Sequence, residues 1–242
     1  MPFFCRLESF SFHRFSPFVT LFVAMEINAD IGEMTGADGE IMPHISVGNI
    51  ACGYHASNPA HMVETVKLAI SCGVKISAHP GYDDRENFGR VSVPHSGEEI
   101  VRLVEDQVGL LSEICAEQGT TLYAIKPHGA LYHDMVKNRI VRTAMVNVVE
   151  KYEVPLIVPF MPKDKQSVEW GVPVLEEVFA DRAYGNDGML VARSVPGSLY
   201  VDEAVILAQA RELIRDSSAD TLCFHGDNPA SVAALKCLYA ED

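Results

Sequence analysis

The stretch "TLYAIKPHGALYHD", Thr121–Asp134, decides the fold because it joins an apparent core strand to a group of reactive side chains. Its apolar run, "LYAI" (122–125), is strand-forming, and "KPHG" (126–129) follows at once. A strand inside a sheet has no packing reason to end in a cation, a proline, an imidazole and a glycine. We therefore interpret the stretch as a buried strand whose end carries functional groups.

The same arrangement recurs along the chain, with short apolar runs separated by helix-like segments. The predicted strands are residues 25–32, 46–52, 74–80, 122–127, 155–160, 177–182 and 221–226. Because these runs are nearly continuously hydrophobic rather than alternating, the sheet is expected to be buried on both faces. Strands that alternate with helices predict an α/β fold with a closed or nearly closed parallel β/α barrel. An open doubly wound sheet is the alternative, but the G-x-G-x-x-G and P-loop fingerprints that would favour it are absent.

Local capping signals predict where the helices begin and end. Asn58-Pro59 predicts a helix start and Gly73 its end. "SGEE" (96–99) fits a capping box for a long amphipathic helix that ends at Gly119. The predicted starts of the remaining helices lie at Asp134, Asp202 and Asn228-Pro229.

Composition and charge restrict the class of protein and of partner. The chain has 242 residues, of which 48% are hydrophobic and 21% charged, as in an ordinary globular protein. Its formal net charge of −14, without a cluster of Lys and Arg, argues against nucleic acid and anionic membranes as partners. The six cysteines form no C-x-x-C pair, so we expect reduced core cysteines in a cytoplasmic protein.

Residues 1–24 differ in composition from the rest of the chain. They hold seven of the eleven Phe residues and show no clear helix or strand period. A signal peptide is the less favoured interpretation, because Ser16-Pro17 interrupts the apolar block that such a peptide needs. We expect an N-terminal extension over 1–24 and a single β/α barrel domain over 25–242. No apolar run reaches the roughly 18 residues that span a bilayer.

Polar side chains gather after the apolar runs. In a β/α barrel the carboxyl ends of all strands meet on one face, where active sites form. We therefore expect these residues to share one mouth: Asn28, Asp30, Glu33, Asn49, His55, His79, Lys126, His128, Asp181, Arg182, His225 and Asp227. A single histidine at a strand end is more often structural, but four in such positions favour a site. Asp181-Arg182 is equally well explained as a structural ion pair.

These residue types favour hydrolytic chemistry. Lys126 is expected either to have a lowered pKa or to stay charged and stabilise an oxyanion. Asp30, His55 and His79 supply one carboxylate and two imidazoles, a set suited to binding a divalent metal and activating water. The G-x-S-x-G elbow and a promising cysteine nucleophile are both absent from the sequence. The pattern therefore predicts attack by water on a small polar substrate.

Six motifs in order resemble the LamB/YcsF family from Met25 to near the C-terminus. They are "INADIGE", "NIACGYHASNP", "AHPGYDDRENFGR", "IKPHGALY", "FADRAYGNDGMLVARSVPG" and "HGDNP". The resemblance implies a distorted seven-stranded barrel of the glycoside hydrolase/deacetylase type. It also implies the role of the A subunit of ATP-dependent 5-oxoprolinase, which cleaves the lactam 5-oxoproline to L-glutamate together with B and C subunits.

The resemblance also assigns candidate roles to residues of this chain. The implied catalytic residues are Asp30, His55, His79, Lys126 and His128. The implied substrate-binding residues are Asn28, Glu33, Asn49, Asp181, Arg182, Arg193, His225 and Asp227. The resemblance implies ATP with Mg²⁺ as cofactor. A tightly bound metal on Asp30, His55 and His79 is possible but not favoured, because their spacing is not that of a helix-borne metal pair.

Two features leave the phosphate chemistry and the role of the chain open. Val91 replaces the second Arg of a "GFGRR" sequence that is frequent in the family, which puts an anion contact in doubt. The absence of a P-loop means that nucleotide binding is unconventional or shared with partner subunits. A metal-dependent deacetylase or amidohydrolase and a non-catalytic binding subunit remain as alternatives.

Overall fold

Seven parallel strands form a closed barrel in the computed structural model, which describes residues 25–165 and 168–240. The strands are β1 Glu26–Ile31, β2 Val47–Ala51, β3 Lys75–His79, β4 Leu122–Ile125, β5 Leu156–Pro159, β6 Val174–Phe179 and β7 Thr221–His225. They follow chain order around the barrel, and β1 pairs with β7 to close it. Closure confirms the barrel and excludes the open sheet. The proposed extension 1–24 lies outside the described residues.

The barrel is distorted between β3 and β5. The pairing of β3 with β4 changes register between Ile76 and Ser77. Among the described residues, β4 and β5 pair only at Ile125 and Leu156, whereas β5 and β6 pair over four positions. The ladder is therefore weakest between β4 and β5, beside the strand that ends directly before Lys126.

Seven α-helices surround the barrel within the described ranges. They are α1 Asp38–Ile41, α2 Pro59–Cys72, α3 Gly97–Glu117, α4 Gly129–Lys137, α5 Arg139–Tyr152, α6 Glu203–Asp216 and α7 Pro229–Ala240. On α3, the buried positions Ile100, Val104, Val108, Leu111 and Cys115 recur every three or four residues. Burying each large aliphatic side chain on this face stabilises the fold by about 1.5–3 kcal/mol, so this face holds α3 against the barrel.

Most helix boundaries follow the capping signals. Asn58 accepts a hydrogen bond from the His61 N–H, and Ser96 and Glu99 form the reciprocal capping box. Asp202 accepts from two N–H groups at the start of α6. Gly73 ends α2 with φ of 70°, a left-handed conformation that glycine adopts without steric cost.

Asp134 does not cap a helix, which corrects the sequence prediction. It lies inside α4, which begins directly after His128. Its carboxylate instead accepts hydrogen bonds from the Tyr82 hydroxyl and the Ser92 hydroxyl. These tertiary contacts tie the 82–92 segment to α4, and Asn138 caps the next helix.

The sixth strand lies earlier than predicted. β6 ends at Phe179, where its pairing with Cys223 of β7 also ends. Asp181 and Arg182 were predicted inside the strand but follow it, so both belong to the loops at the mouth of the barrel. The prediction was displaced because two glutamates, at 176 and 177, interrupt the apolar pattern of the strand itself.

Two further findings concern the helices as possible membrane spans and the state of the cysteines. Within the described part of the chain, every helix is too short or too polar to cross a membrane. Cys52, Cys115 and Cys223 are buried thiols without a disulfide. Buried thiols of this kind agree with the expected use of cysteine as a small core residue.

Candidate active site

A cavity of about 370 Å³ opens where the strands end. This volume is at the lower end of the range for small-molecule sites. Predicted site residues that line it are Asp30, Glu33, His79, Lys126, His128, Arg182, Arg193, His225 and Asp227. Asn28, Asn49, His55 and Asp181 lie behind these residues rather than in the cavity wall. The mouth of the barrel therefore brings together residues from all parts of the chain.

Lys126 is held between two buried carboxylates. Its Nζ lies 2.9 Å from Asp30 Oδ1 and 2.8 Å from Glu177 Oε1, and all three side chains are at least nine-tenths buried. Burial opposes the charge of Lys126, but Asp30, Cys223 and Glu177 together outweigh it and raise the pKa of the ammonium well above its ordinary value. Of the two predicted states of Lys126, the lowered pKa is therefore wrong, and the side chain stays charged.

Asn28 and Asn49 support Asp30 from below. Both are completely buried inside the barrel. Asn49 Nδ2 donates to Asp30 Oδ1 at 3.0 Å and to Asn28 Oδ1 at 2.8 Å, and Asn28 in turn donates to Thr221. Burial favours the neutral acid, but His79 and Lys126 outweigh it and hold the pKa of Asp30 well below its ordinary value. The amides therefore fix the orientation of an ionised Asp30 and do not reach the cavity themselves.

Three histidines and Glu33 form a second group in the same mouth, which we call the histidine cluster: Glu33, His55, His79 and His128. The rings of His55 and His128 stack in parallel, with centroids 3.8 Å apart. Burial lowers the pKa of His55 to about 3 and also lowers that of His128. The two stacked rings are therefore neutral at physiological pH.

Backbone carbonyls set the proton positions of two rings in the histidine cluster. His79 Nδ1 lies 2.7 Å from the carbonyl oxygen of Lys126, and His128 Nε2 lies 2.9 Å from that of Phe88. A carbonyl oxygen only accepts, so each ring nitrogen that faces one must carry the proton. When both rings are neutral, His79 Nε2 and His128 Nδ1 consequently present bare lone pairs toward each other.

Glycines in the 81–89 segment make room for His55. A Cβ at Gly81 would lie 2.7 Å from His55 Nδ1, and one at Gly89 would lie 2.8 Å from His55 Cβ. Gly89 also has φ of 63°, which L side chains rarely adopt. The Phe88 ring meets both His55 and His128 edge-on. The "GYDDRENFGR" motif therefore forms the wall that holds the histidine cluster.

His225 is oriented by Asp181, which does not pair with Arg182. His225 Nδ1 lies 2.7 Å from Asp181 Oδ1, and its Nε2 lies 3.1 Å from the Arg193 guanidinium. Burial opposes the charge of His225, but Asp181 outweighs it and raises the pKa of the imidazole. Arg182 instead donates to the carbonyl oxygen of Val191. The interpretation of Asp181-Arg182 as a structural ion pair is therefore wrong.

Cationic side chains line another part of the cavity. Burial and the neighbouring Arg193 lower the pKa of Arg182 to about 10, and Arg182 Nε is buried without a hydrogen-bond partner. Burial together with Arg182, Lys137 and Arg193 lowers the pKa of His133 to about 4. These groups leave positive charge only partly compensated, which suits an anionic group of a ligand. Asp227, in contrast, forms an ion pair with Arg90 at 2.8 Å.

Sequence reasoning missed several residues of this site. Glu177 was placed in a strand and not considered, although its carboxylate binds Lys126 and accepts from Tyr132. His133 was not among the predicted site residues but lines the cavity. Its position one turn into the helix after "KPHG" was the available signal, because helices that follow barrel strands start at the active face.

The sequence profile of the LamB/YcsF family matches residues 25–241. The chain belongs to the LamB/YcsF family. Among LamB/YcsF relatives, the 5-oxoprolinase A subunit of Vibrio parahaemolyticus is 42% identical over 233 residues, covering 88% of this chain and 93% of that protein. The protein of the same name from Pseudomonas fluorescens is 43% identical over 233 residues, covering 87% of this chain and 93% of the relative.

Solved structures agree with the LamB/YcsF assignment. The lactam utilization protein from Thermus thermophilus has a TM-score of 0.80 and 33% identity, covering 90% of this chain and 96% of that chain. The catalytic domain of a peptidoglycan N-acetylglucosamine deacetylase from Eubacterium rectale has a TM-score of 0.50 and 12% identity, covering 89% and 80%. The second likeness concerns the fold alone and confirms the deacetylase-type barrel expected for a LamB/YcsF protein.

Proposed function

We propose that this chain is the A subunit of an ATP-dependent 5-oxoprolinase, which opens the lactam ring of 5-oxoproline to give L-glutamate. The name of the Vibrio parahaemolyticus relative, at 42% identity over most of both chains, supports this proposal. The observation that carries it is a small cavity that presents both cations and an ionised carboxylate with neutral imidazoles. A lactam with a free carboxylate needs both kinds of group.

The cationic side chains recognise the substrate carboxylate in this proposal. Arg193 and Arg182 line the cavity and are only partly compensated by acids. A planar guanidinium binds a carboxylate through two parallel hydrogen bonds. His225, held by Asp181 at Nδ1, accepts a hydrogen bond from Arg193 at Nε2 and so helps to position that guanidinium for the substrate carboxylate.

Asp30 activates the water that attacks the ring carbon. Its ionised carboxylate lines the cavity, and its Oδ2 lies 3.4 Å from His79 Nε2. Lys126 keeps Asp30 ionised and oriented, so it acts through Asp30 instead of contacting the oxyanion directly. Phosphorylation of the amide oxygen by ATP would activate the ring carbon: attack by water with cleavage of the carbon–nitrogen bond would leave an acyl phosphate, which a second water would hydrolyse to L-glutamate and phosphate.

The nucleotide and the partner subunits complete the proposal. The sequence has no P-loop, so ATP with Mg²⁺ is held at least in part by the B and C subunits. Mg²⁺ prefers phosphate oxygens and water to an all-protein cage. The acidic net charge of −14 also favours a positive contribution from the partners to nucleotide binding.

A reconstituted assay tests this function. Purified chain, B and C subunits, 5-oxoproline and ATP-Mg²⁺ are expected to form glutamate and ADP together, and omission of any one protein or of ATP should stop glutamate formation. The Vibrio parahaemolyticus relative, assayed with the same B and C preparations, is the positive control. If that protein is active and this chain, folded and present in excess, yields no glutamate, the proposal is wrong.

A metal-dependent amidohydrolase or deacetylase is the second candidate, and the histidine cluster is the observation that favours it. Such an enzyme would cleave an amide without ATP. Release of acetate from N-acetylated sugars by the isolated chain, in the absence of nucleotide, would favour this candidate over the first.

A further inference from the structure

The side chains of the histidine cluster converge on one point. Glu33 Oε1 lies 3.3 Å from His128 Nδ1, 3.5 Å from His55 Nε2 and 3.8 Å from His79 Nε2. Glu33 Oε1 and His55 Nε2 are buried and have no hydrogen-bond partner. Buried polar atoms of folded proteins are nearly always satisfied, so these orphaned atoms need an explanation.

In neutral rings, the tautomers that the backbone carbonyls set leave no ordinary hydrogen bond between His79 and His128. His79 Nε2 and His128 Nδ1 are 2.9 Å apart, yet the proton of each ring is already donated to a backbone carbonyl. Two lone pairs at this distance repel each other unless a cation lies beside both. The Glu33 carboxylate adds a third set of lone pairs to the same point. A bound cation would satisfy all of these acceptors at once.

The spacing of the acceptor atoms fits a small transition-metal ion. Zinc bound to imidazole and carboxylate at about 2.0–2.2 Å places tetrahedral ligand atoms roughly 3.3 Å apart. The four candidate ligand atoms all lie within 4.8 Å of one another, and three of the four are imidazole nitrogens. Imidazole suits Zn²⁺, Ni²⁺ and Fe²⁺, whereas Mg²⁺ takes oxygen ligands.

We propose that Glu33, His55, His79 and His128 bind one divalent transition-metal ion, with Zn²⁺ the best match. The sequence-based preference was for a site without a resident metal, and the proposed site differs from it. The proposed ligands also differ from the predicted trio of Asp30, His55 and His79, because Glu33 and His128 take the place of Asp30. The Oδ1 atom of Asp30 is already committed to Lys126 and Asn49, and Asp30 is not one of the four convergent groups. The carbonyl oxygens of Lys126 and Phe88 orient two of the ligand rings, as outer partners do in metal sites.

The proposed metal faces the substrate cavity. Glu33, His79 and His128 line that cavity, whereas His55 lies behind them against Gly81 and Gly89. A metal in this wall would polarise a carbonyl oxygen or lower the pKa of bound water. The inference does not depend on the identity of the substrate, because its test measures the metal itself.

Metal content is the direct test. Untagged chain, purified without chelator, is expected to retain close to one equivalent of transition metal by inductively coupled plasma mass spectrometry. Removal with dipicolinate should lower the melting temperature, and one equivalent of Zn²⁺ should restore it. Co²⁺ added to the metal-free chain should give the visible absorption of a tetrahedral site with nitrogen ligands.

Four variants locate the site. Loss of an outer-shell partner typically costs 10–100-fold in metal affinity, so loss of a direct ligand in Glu33→Gln or His128→Gln should weaken Zn²⁺ binding by at least about 100-fold. His133→Gln is the matched control, since His133 lines the same cavity outside the cluster, and it should bind Zn²⁺ as the wild type does. Asp30→Asn should also keep the metal, in contrast to the predicted trio.

Three results would overturn the proposal. The first is a wild-type chain that retains neither Zn²⁺ nor Co²⁺ after reconstitution and desalting, with a nitrogen-15 spectrum that shows a proton shared between His79 and His128. The second is equal metal loss in His133→Gln and in the ligand variants. The third is loss of metal in a His225→Gln variant but not in His128→Gln, which would move the ion to Asp30, Cys223 and His225.

Discussion

Replacing Lys126 by methionine should destabilise the barrel more strongly than any exposed substitution. Methionine keeps the length and apolar stem of the side chain but removes the ammonium. Asp30 and Glu177, whose oxygens lie 2.9 and 2.8 Å from Lys126 Nζ, would then be buried without their cation. Both carboxylates are more than nine-tenths buried, so water does not replace the lost partner.

The magnitude follows from the cost of breaking a buried ion pair. Removing one partner of such a pair costs about 3–5 kcal/mol, because the remaining charge stays buried. For a domain of this size each kcal/mol lowers the melting temperature by about 2–4 °C, so the expected decrease is about 6–20 °C. A role for Lys126 in stabilising an oxyanion would not by itself predict a loss of stability on substitution. The contacts of Lys126 with two buried carboxylates do predict one.

Thermal unfolding followed by circular dichroism measures this effect. Lys236→Met is the matched control, because it removes a lysine from an exposed pair with Glu40 that should contribute little to stability. Adding Glu177→Gln to Lys126→Met should recover part of the lost stability, since it removes one uncompensated charge. A Lys126→Met melting temperature within about 2 °C of the wild type would refute the argument that the ammonium compensates two buried acids.

Three further outcomes are expected. Arg193→Met should raise KM for 5-oxoproline by about 10- to 150-fold in the reconstituted system. This factor corresponds to the loss of one charged hydrogen bond of about 1.5–3 kcal/mol. An unchanged KM would show that Arg193 does not recognise the substrate carboxylate. The pKa of His225, measured by NMR, should lie above the ordinary histidine value of about 6.5 and should fall in the Asp181→Asn variant. The ion pair of Asp181 and His225 should contribute its full stabilisation of the fold between about pH 3.9 and pH 6.5, the unfolded-state pKa values of the two groups. This contribution should be lost as the pH rises through the folded-state pKa of His225, or as it falls through the folded-state pKa of Asp181. Deleting residues 1–24 should leave the melting temperature unchanged, and a decrease of several degrees would mean that those residues cover the barrel.

The fold was predictable because its signals are local. Each strand is a short apolar run, and Asn58, Ser96 and Asp202 mark helix starts through side chains that satisfy backbone N–H groups. The error at Asp134 has the opposite origin. Its carboxylate is used by Tyr82 and Ser92, which are more than forty positions away in sequence, and no local pattern shows such a contact.

The site was predictable only as a set of positions. Parallel topology brings strand ends together, so Asp30, His79 and His225 could be expected in one mouth. The partners of each residue depend on distances that the sequence does not contain. Glu177 was missed because it lies within a strand and points into the barrel, where it meets Lys126. The grouping of Glu33 with three histidines likewise depends on ring orientation, which backbone carbonyls set.

The central claim, that the lactam ring is opened in the cavity of this chain, is tested most directly by Asp30→Asn in the reconstituted system. The substitution keeps the shape of the side chain, and Lys126 retains Glu177 as a partner. Circular dichroism and size-exclusion chromatography with the B and C subunits show whether fold and assembly persist. The account predicts glutamate formation at least about 100-fold slower, the lower end of what a general base contributes. Glutamate formation near the wild-type rate, by a variant that folds and assembles normally, would contradict the claim and leave this chain with a binding role only.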